Sequence, residues 1–138
     1  MSALLRLLCI AAILVVSYLA SARAELPYLY ERLSKSPVYK KTLTALLAGK
    51  PTPTWARGYL SSGNGVDTPG RDVRVGTAPY EMYAVCQPHN CAGNFLYVLF
   101  QPGGGAATAL ITTEGKNFQF FGNPNQPQKD VLIAASKN

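Results

Sequence analysis

The sequence predicts an α+β fold: a central antiparallel sheet of about five strands flanked by short helices on both faces, a three-layer sandwich. Three patterns predict it. Helical periodicity is confined to the first half of the chain and its last few residues. From Asp72 onward, strand-like segments follow one another with only turn residues between them, which implies an antiparallel meander. The segment Phe95-Leu96-Tyr97-Val98-Leu99-Phe100 is apolar at both parities of a strand, so each face of the sheet needs cover.

The chain has 138 residues, with 13 Lys+Arg against 7 Asp+Glu and a formal net charge of +6. Met1 to Arg6 is a short basic start, Leu7 to Leu19 an apolar run broken by Ser17, and Ala22-Arg23-Ala24 a small-x-small pattern. These are the three parts of a secretory signal, expected to be cleaved after Ala24 and to leave one domain over residues 25–138. The apolar run is shorter than the roughly 20 residues that cross a bilayer, so no membrane span is expected after cleavage. Cys9 leaves with the leader, and Cys86 and Cys91, a pair in an exported protein, are read as a disulfide. The basic residues are scattered, with Lys40-Lys41 their longest run after the leader. A solvated surface is therefore expected rather than a nucleic-acid partner; mild basicity can help the protein stay near anionic envelope polymers but hinders approach to a basic partner.

Leu29, Tyr30 and Leu33 share one face of a short helix over Tyr28 to Leu33. Ser36-Pro37 provides a cap and a proline at the first helical position, and this second helix should stop at Gly49. Its apolar stripe is Tyr39, Leu43, Leu46 and Leu47, with Lys40, Lys41 and Thr44 outward. Pro51 to Trp55 opens another helical turn, with Trp55 as a packing anchor near Tyr59 or the sheet. Ser61 to Arg71, rich in glycine and polar residues, reads as an exposed loop. Strands are expected around Val73 and Val75, then at Tyr80–Cys86, Asn94–Gln101, Ala107–Thr113 and Asn117–Phe121, with a final helix over Asp130–Ala135.

Little in the sequence favours catalysis. Gly103-Gly104-Gly105 lies between two strands without the lysine and helix start of a phosphate loop, so it is a hairpin turn. The chain has one histidine and few carboxylates, a poor basis for a hydrolytic site. The distinctive segment is Cys86-Gln87-Pro88-His89-Asn90-Cys91, expected at a hairpin tip with its cysteines on adjacent strands and the residues between them pushed outward. Zinc would find only Cys86, His89 and Cys91, short of four ligands. Redox cysteines usually stand two apart at a helix start, which a hairpin does not offer. A loop this short is worth roughly 2 kcal/mol by chain entropy, so the bridge either staples a turn beside an ordinary exposed His89 or rigidifies a recognition loop.

The loop is similar to the Cys-Lys-Pro-His-Asp-Cys loop of the Ivy family, periplasmic inhibitors of C-type lysozyme from Gram-negative bacteria. The leader and the order of helices before strands agree with that resemblance over nearly all of the chain after Ala24. The resemblance implies a periplasmic protein without cofactor or metal, not an enzyme, whose disulfide loop blocks the lysozyme cleft with His89 as the inhibitory residue and Gln87, Pro88 and Asn90 beside it. Gln87 stands where the family loop has Lys, and Asn90 where it has Asp, so two opposite charges are gone. Such a change also fits an envelope module of the same fold that regulates a lytic transglycosylase or another partner. A homodimer is permitted by the resemblance without being required.

Overall fold

The computed structural model describes residues 25–138; the expected leader, residues 1–24, lies outside them. Its elements are α1 (Leu29–Lys35), α2 (Pro37–Leu47), α3 (Thr54–Ser62), β1 (Val66–Asp67), β2 (Arg71–Val75), β3 (Ala78–Cys86), β4 (Phe95–Phe100), β5 (Ala107–Thr113), β6 (Asn117–Phe121) and α4 (Gln126–Ala135). All strand pairs are antiparallel, in the order β1-β3-β4-β5-β6, and β2 pairs with β3 as well.

The double-sided strand is β4, which sits at the centre of the sheet. Leu96, Val98 and Phe100 join Tyr83, Val85, Ala109, Ile111 and Phe121 beneath the helical layer of α1, α2 and α3. Tyr97 and Leu99 pack with Val75, Met82 and Leu110 on the other face, under Leu132 and Ala135 of α4. The period-2 alternation of a strand thus feeds two cores, and the sandwich has three layers, as the apolar run required.

Differences from the sequence expectations have local causes. There are six strands rather than about five, because Val66-Asp67, inside the expected loop, pairs with Cys86 and Val85. Two residues are too short to show a period. Thr68-Pro69-Gly70 separates β1 from β2 along the same edge of β3, and Gly70 is buried where an added Cβ would overlap the Tyr83 ring. Ser36 makes no side-chain capping bond, so Pro37 alone marks the start of α2. Helix α4 starts at Gln126 rather than Asp130, because Asn125 and Gln128 form a reciprocal capping box with a proline in the first turn. In α1, Leu29 and Leu33 are buried but Tyr30 is exposed, its ring edge-on to Tyr59. Trp55 is half-buried against the helix-side core.

A polar cluster ties the helical layer to β3. Tyr39 Oη donates to Glu81 Oε2 at 2.7 Å, Arg32 Nε donates to Tyr83 Oη at 2.9 Å, and Arg32 Nη2 lies 3.4 Å from Glu81 Oε1. Burial, with the Glu81 carboxylate as acceptor, pushes the Tyr39 pKa up to about 12. Tyr39 Oη also accepts from the Gly103 amide, and its ring fills the space where Gly104 would carry a side chain. The glycine run is therefore a hairpin turn pressed against α2, at the end of β4 opposite the cysteine loop.

Candidate functional site

The β3–β4 connection carries the segment singled out by sequence. Cys86 is the last residue of β3 and is disulfide-bonded to Cys91, with the two Cα atoms 5.0 Å apart. The expected placement on opposed strands is corrected: the strand partner of Cys86 is Phe95, and Cys91 lies within the connection itself. Strand β4 begins at Phe95, one residue later than expected. The bridge therefore closes the first half of a longer connection, and residues 92–94 return the chain to the sheet.

Within the closed loop, the Asn90 amide donates to the Gln87 carbonyl at 3.1 Å, and Asn90 Nδ2 lies 3.3 Å from Gln87 Oε1. Gln87 and Pro88 are half-buried, whereas His89 and Asn90 are exposed at the tip. No hydrogen bond to another described residue holds the His89 ring. Its backbone has φ 61°, the left-handed region in which a residue with a Cβ is disfavoured relative to glycine. His89 thus stands exposed at the tip of a loop that the disulfide closes and the Gln87–Asn90 contacts bridge.

The base of the loop is held by Asn94, which sequence reasoning passed over as the start of a strand. The residue is 5% exposed, and its side chain uses both ends. Nδ2 donates to the carbonyls of Asn90 and Ala92, each at 3.2 Å, and Oδ1 accepts from the Glu114 amide at 3.1 Å. The Gly115 amide donates to the Gly93 carbonyl at 2.9 Å, and Thr112 Oγ1 accepts from the Phe95 amide at 3.1 Å. A Cβ on Gly93, whose φ is 77°, would overlap the Gly115 backbone. The loop therefore rests on the β5–β6 turn. Gly93-Asn94 directly before an apolar strand was the available signal, a turn residue with a side chain able to bond to nearby backbone.

Among the described residues no group of three or more His, Cys, Asp or Glu is placed to hold a metal, and no helix is long and apolar enough to cross a membrane.

Fold and loop together define an α+β protein that presents a disulfide-closed, externally braced loop beyond the end of its sheet. The family model described as "Inhibitor of vertebrate lysozyme (Ivy)" matches residues 38–134, and the chain belongs to that family. It is 28% identical to the Inhibitor of vertebrate lysozyme of Pseudomonas aeruginosa over 96% of this chain and 94% of that one. It is also 30% identical to an uncharacterised protein of Yersinia pestis, over 74% of this chain and 72% of that protein.

Proposed function

We propose that this protein inhibits C-type lysozyme in the periplasm, its Cys86–Cys91 loop entering the active-site cleft with His89 foremost. The observation that carries the reading is the exposed, unbonded His89 imidazole, held at φ 61° on a loop braced from both sides. Membership of a family of lysozyme inhibitors supplies the target.

A retaining glycosidase such as lysozyme places its two carboxyl groups about 5 Å apart, one protonated in an apolar pocket and one ionised. An imidazole has two ring nitrogens on opposite flanks, each able to hydrogen-bond at ~2.8 Å. One ring between the carboxyls can accept from the protonated group and donate to the ionised one, while the loop takes the place of the sugar. No covalent chemistry is required, and the loop's rigidity reduces the ordering cost of entry. Gln87 and Asn90 contribute neutral hydrogen bonds where charges would otherwise stand.

The test is lysis of a peptidoglycan suspension by lysozyme in the presence of the native protein, His89→Ala, or the reduced protein. Loss of inhibition in His89→Ala and weakening on reduction are expected; equal inhibition by all three removes the loop from the mechanism. The absence of both charges at Gln87 and Asn90 favours a second reading, an envelope module that regulates a lytic transglycosylase. Capture of such an enzyme from periplasm, with no binding of lysozyme, would establish that reading instead.

A further inference from the structure

Charge is unevenly distributed in this molecule. Between residues 32 and 66 the chain carries Arg32, Lys35, Lys40, Lys41, Lys50 and Arg57 and no Asp or Glu. Arg32 pairs with Glu81, and Lys35 with Glu31, four residues earlier on its helix. The remaining cations gather on the outside of the helical layer. Lys40, Lys50 and Arg57 line a cleft of about 690 Å³ between α2 and α3, whose apolar lining includes Leu47 and Leu60 and which no carboxylate lines. Along another face of α2, Lys41 and the same Lys50 line a second groove of about 640 Å³ with Val38, Ala45 and Leu46.

Two of these cations are set in place. Arg57 Nη1 donates to the Thr52 carbonyl at 2.5 Å and lies 3.2 Å from its hydroxyl, which orients the guanidinium while its other N–H groups remain available. Lys50 Nζ lies 5.6 Å from the centroid of the Phe121 ring, so its stem follows the edge of the sheet. Val38 is 50% exposed beside the second groove.

Cations over an apolar lining, in two grooves that share Lys50, match an anionic amphiphile: a phosphate head between the cations and hydrocarbon against the leucines. We propose that the α2–α3 face binds the phosphate headgroups of anionic phospholipids and holds the protein on an envelope membrane surface. The second groove is lined by Gly105 of the β4–β5 hairpin, which places it at the end of the sheet opposite the cysteine loop. A membrane-bound molecule therefore keeps His89 free for a soluble partner. The inference stands apart from the identity of that partner.

The experiment is co-sedimentation of the protein, purified after export under its own leader, with vesicles of phosphatidylethanolamine plus phosphatidylglycerol or of phosphatidylethanolamine alone. Binding is expected only to the first and is expected to weaken with salt. At about a fivefold contribution per cation near an anionic surface, Lys40→Gln/Lys50→Gln should lose ~25-fold in affinity and addition of Arg57→Gln should bring the loss to ~125-fold. The double variant decides the matter if the triple one does not fold. A charge-matched control, Lys116→Gln/Lys129→Gln, should lose less than about threefold, the share due to net charge alone. Equal losses in the cleft and control variants, or no binding of the native protein to anionic vesicles, would overturn the proposal. So would complete displacement by millimolar orthophosphate at constant ionic strength, which assigns the cleft to a free anion. Lysozyme inhibition by the cleft variants should be unchanged, so failure here and failure of the His89 mechanism are distinguishable.

Discussion

Replacing Asn94 with Ala should reach the Cys86–Cys91 loop through its support. Asn94 is 5% exposed, and its side chain makes two donor bonds to the carbonyls of Asn90 and Ala92 and one acceptor bond from the Glu114 amide. Each such bond is worth about 1 kcal/mol net, and orphaned partners that water does not reach cost more, so a global loss of about 2–3 kcal/mol is expected. Asn94→Asp keeps the shape and the acceptor for Glu114 but loses both donors, and it sets a carboxylate against two carbonyls; it should fare no better than alanine. Urea denaturation followed by fluorescence of Trp55 reads the loss as a lower midpoint with an unchanged slope. The same preparations, assayed well below their midpoints, should inhibit lysozyme at least tenfold less well, although Asn94 lies at the loop's base and not at its tip. A loss under ~0.5 kcal/mol with full inhibition would refute the view that Asn94 braces the loop.

Three further outcomes follow from the same geometry. His89→Gly should abolish inhibition yet leave stability equal or up to about 1 kcal/mol higher, because glycine adopts φ 61° without a Cβ penalty; a clear destabilisation by denaturation would show that the imidazole packs on its own protein. Reduction of Cys86–Cys91 should cost about 2 kcal/mol by loop-closure entropy and leave the sheet folded by circular dichroism, with inhibition weakened well beyond what that loss of stability explains. Tyr39 is held at about 12 by burial and the Glu81 carboxylate, against about 10 when unfolded. Above pH 10 the unfolded state releases this proton and the folded state keeps it, so stability should fall between about pH 10 and 12, with a shallower fall in Tyr39→Phe. An identical alkaline slope in both proteins, measured by urea midpoints, would rule Tyr39 out as a contributor.

The double-sided pattern of Phe95–Phe100 calls for cover on both faces whatever the order of elements, because strand parity sends large apolar side chains to both faces and leaving either in water is costly. The composition of the Cys86–Cys91 segment likewise points to the loop that the structure shows exposed. What local sequence lacks are features created by chain segments far apart. The Val66-Asp67 strand exists only because β3 offers an edge, and Asn94 acquires its role only when Glu114 and Gly115 arrive from the next hairpin. The pairing of Cys86 with Phe95 was set by the register of the whole sheet rather than by the spacing of two sulfurs. The gathering of Lys40, Lys50 and Arg57 around one cleft depends on how α2 and α3 pack together. Periodicity and side-chain chemistry are properties of neighbouring residues and can be read along the chain. Register, support and charge convergence are properties of distances through space, and only the folded chain sets those.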